Sequence, residues 1–154
     1  MREQRRGKRI AMTPEETDEF LASQQLCRMA TLGGDGRPHT SALWFVWDGD
    51  SIWLNSVVKS QRFTDVTRDP RVSLIVDGGE SFGELRGVTI EGRADTVGEV
   101  PRTGEENADL TAPELAFARK YMNRDEFPYD GGHAWLKITP EKMASWDFSK
   151  HGRG

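Results

Sequence analysis

The stretch that most constrains the fold is 51–77, SIWLNSVVKSQRFTDVTRDPRVSLIVD. It reads as strand, basic turn, short helix, strand. The first strand alternates around Trp53 and ends in polar Asn55 and Ser56. In 71–77, Val72, Leu74 and Val76 share one face, and Ser73 and Ile75 the other. This two-residue period marks a half-buried strand. Between the strands, Phe63 and Val66 lie three apart, enough for about two helical turns. Ser60 can cap this helix and Pro70 stops it. Lys59 and Arg62 flank the cap. A helix start presents unpaired N–H groups and partial positive charge, so two cations beside it predict an anion site. The competing reading is a solvated turn with ordinary surface charges.

With 154 residues the chain fits one domain with one real core. Its net charge of −4 argues against a general polyanion binder and against a nucleic-acid accessory role for the basic start. The single cysteine, Cys27, sits in an apolar run, which excludes an internal disulfide or a thiolate metal cluster and predicts a small buried hydrophobe. No apolar run approaches a membrane span and no signal-peptide pattern is present, so a soluble, cytoplasmic protein is expected. Five tryptophans are many for this length and predict an aromatic-rich ligand site or interface.

The start, MREQRRGKR, has no apolar residue after Met1, and residues 1–12 are expected to form a disordered basic arm. Thr13-Pro14-Glu15-Glu16 is a capping box with proline at the first helical position, opening a helix to about Gln24 that buries Phe20 and Leu21. Strands are expected at 26–32 and at 39–47, the latter a long apolar run covered on both faces. Asp48-Gly49 signals a hairpin into 51–55. Another long strand, 85–97, points Val88 and Ile90 inward, and its Gly87 and Gly92 suggest a bulge or a close backbone approach. Residues 98–110 read as an acidic surface excursion. Thr111 to Glu114 reads as a second capping box, opening a helix to about Met122. The last strand spans 134–139 and ends at Pro140, with a short further strand possible at 142–146. Residues 149–154 are expected to be a loose tail after a single domain at 13–148. About six antiparallel strands with three short helices, and no βαβ repeat, point to a mainly β fold, a small closed or split barrel.

No metal-ligand spacing, nucleophile elbow or Walker sequence occurs. His39, His133 and His151 stand in separate settings, and no acidic residue lies in an apolar run. An enzyme built this way needs a bound cofactor to carry its chemistry.

Three runs carry a resemblance: GRPHTSALWF; Lys59-Ser60-Gln61-Arg62 ahead of RDPRVS; and LRGVTIEG. With the closing ITPEKMASWDF they cover about Thr13 to Phe148. In this order they resemble the pyridoxamine 5'-phosphate oxidase-like split β-barrel proteins, most closely their flavin/deazaflavin oxidoreductase branch. The resemblance implies a six-stranded antiparallel split β-barrel. It also implies a homodimer with cofactor sites at the interface and a small-molecule substrate. On it, Asn55, Ser56, Lys59, Ser60, Gln61 and Arg62 hold the phosphate end of a flavin-like cofactor, and His39, Ser41, Ala42 and Leu43 lie against its ring. The oxidases that act on pyridoxamine phosphate have glutamine where Gly87 stands, together with an Arg and His tail that has no match here. The resemblance therefore points away from that activity. FMN and the deazaflavin coenzyme F-420 share a ribityl phosphate and a tricyclic ring. The TPE helix start, LWFVWDG and SWDF favour the deazaflavin. The implied function is hydride transfer to a small unsaturated organic acceptor. The alternative is a protein that stores or carries a flavin, deazaflavin or haem without turnover.

Overall fold

The computed structural model describes residues 1–152. Seven strands form one antiparallel sheet: β1 (Cys27–Leu32), β2 (Pro38–Leu43), β3 (Val46–Trp47), β4 (Ile52–Val57), β5 (Arg71–Gly78), β6 (Arg86–Val97) and β7 (His133–Asp147). Their order across the sheet is β2-β1-β5-β6-β7-β4-β3. The two outermost strands, β2 and β3, are joined through Trp44 and Phe45 alone. So short a link spans about 10 Å, which forces the sheet to curl until its edges are neighbours. The mainly β split-barrel architecture expected from the sequence follows from that constraint.

Period-2 alternation fills the curl. Met29, Leu54, Leu74, Val76, Val88, Ile90, Leu136 and Ile138 are each at most 2% exposed. Helix α1 (Pro14–Ser23) starts as its capping box predicts, with the Thr13 hydroxyl accepting from Glu16 N–H at 3.1 Å. It buries Phe20 and Leu21. A second apolar cluster lies on the outer face of β4 and β7. There Trp53 and Trp135 pack under Leu110 and Phe117 of helix α3 (Ala108–Phe117). No helix among the described residues is long and apolar enough to cross a membrane.

Several expectations are corrected. The run 39–47 is not one strand covered on both faces. It breaks at Trp44–Phe45, and β2 is an edge strand with alternate residues exposed. The break is stabilised from outside the sheet: the Tyr121 hydroxyl accepts Phe45 N–H at 3.0 Å, and Lys120 donates to Phe45 O at 3.2 Å. Pro140 does not end the last strand. It lies inside β7 beside the register shift at Glu91/Gly92, where a bulge tolerates the missing N–H. A Cβ on Gly92 would come within 2.3 Å of Thr139 O, and one on Gly87 within 2.4 Å of the Trp146 ring. Both glycines are therefore close-approach positions.

Thr111 does not open α3. Asn107 does, its side chain accepting from Asp109 N–H at 3.0 Å. Glu114 cannot act as a capping partner because its carboxylate is committed to a buried cluster. Arg102 grips it through Nε and Nη2 at 2.8 and 3.1 Å, Tyr129 OH donates at 2.8 Å and Trp135 Nε1 at 2.9 Å. Arg102 itself is only 4% exposed, inside a segment expected to be surface.

The first residues are not free in the structure. Beyond Ile138, β7 has no strand among the described residues on the side that β4 occupies earlier. The start of the chain fills that edge. Arg2 N–H donates to Glu141 O at 2.8 Å, and the Gln4 amide pairs with Ser145 N–H and O at 2.9 and 3.0 Å. Unpaired strand edges attract extended chain through backbone groups, with no need for apolar side chains. Lys150 is likewise tied, donating to Ala11 O at 3.0 Å and to Glu16 at 2.8 Å. Ser149 and Lys150 lie in a 3-10 turn (Phe148–Lys150) and His151 packs on Phe148, so this part of the expected loose tail is ordered, and residues 153–154 lie outside the described residues.

Candidate functional site

The basic turn forms at the end of β4. Ser60 N–H donates to Val57 O at 3.1 Å, which closes the turn, and the Ser60 hydroxyl accepts from Phe63 N–H at 3.3 Å, which starts helix α2 (Gln61–Arg68). First-turn N–H groups have no intrahelical acceptor, so those of Gln61 and Arg62 face the approach to the helix. Arg62 is half-buried and donates through Nε to the fully buried Ser56 hydroxyl at 3.0 Å. Lys59 is exposed beside it. Ser56, Lys59, Ser60 and Arg62 are thus brought together, with donors and two cations on one short turn.

His39 and Gln61 are turned elsewhere. Both reach Asp65, which is fully buried on α2. Asp65 accepts from Gln61 at 2.9 Å, Thr31 at 2.8 Å and Arg68 at 3.0 Å, and His39 Nδ1 lies 2.6 Å from its Oδ2. Burial alone would raise the carboxyl pKa. The donors of Gln61, His39, Thr31 and Arg68 outweigh it and hold Asp65 well below the usual carboxylate range.

Asn55 and Ser56 do not act from the same side. Successive strand residues point to opposite faces, so Ser56 turns into the curl and Asn55 outward. Asn55, Ala42 and Leu43 line a cleft of about 390 Å³ on the outer side. Its aromatic walls come from Trp44, Phe117 and Phe127. Trp44 stacks on Tyr121 with centroids 4.5 Å apart and planes 11° from parallel. The Asn55 Nδ2 is buried with no hydrogen-bond partner among the described residues. Ser41 is half-buried on β2, opposite Met29, outside the cleft lining.

Two groups near these features were not visible in the sequence. Asp65 appeared as one acid among many on a polar helix. Lys120 lies in a π turn (Ala118–Met122) that follows α3, with Nζ 4.1 Å from the centroid of the Phe45 ring. Burial pulls its pKa down to about 8. No local pattern links positions 75 residues apart. No group of three or more His, Cys, Asp or Glu able to hold a metal occurs among the described residues.

A family model described as pyridoxamine 5'-phosphate oxidase matches residues 13–147. The chain belongs to this family. Among solved structures, a conserved hypothetical protein of Mycobacterium tuberculosis is 31% identical, with a TM-score of 0.79 over 98% of this chain and 93% of that one. A protein described as an F-420 reductase is 22% identical, with a TM-score of 0.62 over 82% and 94% of the two chains. An FAD-binding protein of Mycobacterium smegmatis is 17% identical, with a TM-score of 0.66 over 88% and 94%. At these last two identities the likeness is one of fold. No curated protein matches the chain. Within the pyridoxamine 5'-phosphate oxidase family, the start of α2 suits a phosphate-bearing cofactor through two cations and the free N–H groups of Gln61 and Arg62, while the Ser56 and Ser60 hydroxyls both donate to Val57 O, at 3.4 and 2.7 Å, and brace the turn.

Proposed function

We propose that the protein is an oxidoreductase that binds a flavin-like cofactor, coenzyme F-420 in preference to FMN, and transfers hydride to a small unsaturated organic acceptor. The observation that carries this reading is the start of α2, where Lys59 and Arg62 flank a serine-capped helix end in a chain of this family. When bound, the reduced cofactor supplies the hydride. Lys59 and Arg62 neutralise the phosphate, the helix N–H groups beyond the Ser60 cap orient it, and the β2 residues carry the ring beside the cleft. We further propose a homodimer with a cofactor site at each interface. Leu26, Trp44 and Val57 support this, since all three remain exposed, at 42%, 48% and 39%, around the turn and the cleft.

Titration of the deazaflavin and of FMN against wild type, Lys59→Ala and Arg62→Ala tests the reading. A charge-assisted contact to phosphate contributes roughly 1.5–3 kcal/mol, so each variant weakens binding about 10- to 100-fold. Raising salt narrows the gap. Equal dissociation constants for all three proteins would end the assignment. Light scattering tests the dimer. A protein that binds the cofactor but never turns over any acceptor, or that shows a haem Soret band on purification, supports storage instead.

A further inference from the structure

We propose that the gap where β4 and β7 part, closed by α1 and the start of the chain, is a binding site for an organic ammonium ion with an apolar body of phenylalkyl size. The site is separate from the proposed cofactor site and does not depend on it.

The gap follows from the strand pairing. β4 and β7 run together from Val57 opposite His133 to Ile52 opposite Ile138. Past Ile138, β7 continues to Asp147 beside β6, while the chain on the other side turns back from Ile52 to Trp47 of β3. The two lines of backbone diverge, and a cavity of about 490 Å³ remains between them. Helix α1 covers it through Pro14, Thr17 and Asp18, and the first residues through Met1 and Gln4. Gln4 is fixed there by its hydrogen bonds to Ser145 at 2.9 and 3.0 Å. β4 has six residues at about 3.3 Å each, so this end lies roughly 20 Å from the basic turn.

The inside is apolar and adaptable. Met12, Trp47 and Met143 are partly buried against the main core, and fully buried Val88 also belongs to the wall. Methionine side chains have three rotatable bonds and a polarisable sulfur, so they mould to rings and chains. The volume suits a small molecule.

Charge selects the head group. Among the described residues the lining holds no lysine, arginine or histidine, and it has two carboxylates, Asp18 and Asp50, both exposed at the mouth. The Trp47 indole N–H donates to Asp18 Oδ1 at 2.8 Å, which ties α1 to β3 and leaves Oδ2 to a ligand. Asp48 accepts from the N–H groups of Asp50 and Ser51 at 2.8 and 2.7 Å and fixes the turn that carries Asp50. An anion finds no partner here. An ammonium group meets two carboxylates and an indole, while its apolar body displaces water along the methionines.

Phenylbutylamine, phenylbutanol and phenylbutyrate differ in the head group alone. Calorimetric titration of each into the full-length protein tests the assignment. Two exposed ion pairs and a cation–π contact each contribute modestly, so the amine binds about tenfold more tightly than the alcohol, and the carboxylate binds least. Asp18→Asn keeps an acceptor for the Trp47 N–H, and Asp50→Asn keeps the turn. Each lowers amine affinity about threefold, and together they bring it within about twofold of the alcohol, whose binding is unchanged. Thermal melts show that the variants fold. Raising salt narrows the wild-type preference for the amine. Equal affinity for amine and alcohol, preference for the carboxylate, no binding of any probe, or an amine preference that survives the double variant overturns the proposal. Competition by FMN or the deazaflavin also overturns it, since the site would then not be separate. Selective amine binding in a protein that binds neither cofactor sustains this site and sinks the proposed function alone.

Discussion

His39 of β2 and Asp65 of α2 approach to 2.6 Å across the curl, and Thr31 of β1 meets the same carboxylate at 2.8 Å. One buried acid therefore ties two strands to the helix whose start is the candidate anion site. Arg68 and Gln61, from the helix itself, complete its shell. The orientation of α2, and with it of Lys59 and Arg62, depends on this carboxylate.

Asp65→Asn should destabilise the protein by about 1–3 kcal/mol, because a buried amide cannot accept from all four donors that the carboxylate holds. The folded-state pKa of Asp65 is depressed. Its contribution is therefore complete above the unfolded value of about 4 and is lost as pH falls from there towards the lower folded value. Urea melts at neutral pH and in stepwise acid check both statements. The variant should lack the part of the acid sensitivity that falls below about pH 4. Identical acid profiles would show that Asp65 is not the responsible group.

The Arg102–Glu114 pair should behave as a buried ion pair. Arg102→Met leaves Glu114 with only Tyr129 OH and Trp135 Nε1 as donors, at a cost of about 3–5 kcal/mol. Adding Glu114→Leu to that variant should recover part of the loss, since it removes the more buried of the two carboxylates that Arg102 pairs with, Glu114 and Glu99. A double variant as unstable as the sum of the singles, measured by chemical denaturation, would count against the coupling.

Cys27 is fully buried, and burial pushes its thiol up to about 12. The native protein should not react with a disulfide reagent at pH 8, and unfolding should release one reactive thiol. A raised folded-state pKa contributes stability below the unfolded value of about 8.5, and that stability is lost as pH rises through the folded one. Cys27→Ala should therefore flatten part of the alkaline decline in melting temperature. Rapid labelling of the folded protein would contradict the burial.

Removal of residues 1–9 should lower the melting temperature modestly. It deletes one backbone and two side-chain hydrogen bonds to β7, together with an Arg2–Glu91 pair whose partners are 71% and 51% exposed. Exposed ion pairs contribute little, each hydrogen bond contributes about 1 kcal/mol net, and the entropy of ordering the arm opposes them, so a loss of about 1–2 kcal/mol, or roughly 2–8 °C, is expected. Calorimetry of the truncated chain gives the answer directly. An unchanged melting temperature would mean that the arm exchanges freely with solvent.

Local signals made much of this protein legible. The alternation in Val72, Leu74 and Val76, the Thr13 capping box and the Ser60 cap each depend on residues within a few positions, and each forms as read. Belonging to a barrel was legible too, because strand lengths and the absent βαβ rhythm are written along the chain. What escaped were interactions between distant positions. Tyr121 and Lys120 break a strand at Phe45, Arg102 takes Glu114 out of a capping box, and the free edge of β7 captures a polar arm. None leaves a trace in the spacing of its own segment. The candidate site divides along the same line. The basic turn was read from neighbouring residues, whereas Asp65's hold on His39 and Gln61 and the outward aim of Asn55 needed the strands to be placed.

Strand β7 stands between two otherwise unconnected pieces of sheet: its residues 135–147 pair with β6, and 133–138 pair with β4. Without it, β2-β1-β5-β6 and the β3-β4 hairpin share no ladder. Ile52 waits for Ile138, a partner 86 positions later. During synthesis at about 5–20 residues per second, β4 therefore has only the short β3 beside it for some seconds while the rest of the chain is made. At its end, the Val58 N–H gains its acceptor, Gly132 O at 2.9 Å, only after that late segment has emerged. Pairings over such distances belong to the slow end of folding, in milliseconds to seconds. Apolar Ile52 and Leu54 are exposed throughout that interval, and the earliest opportunity for misassembly in the cell lies there.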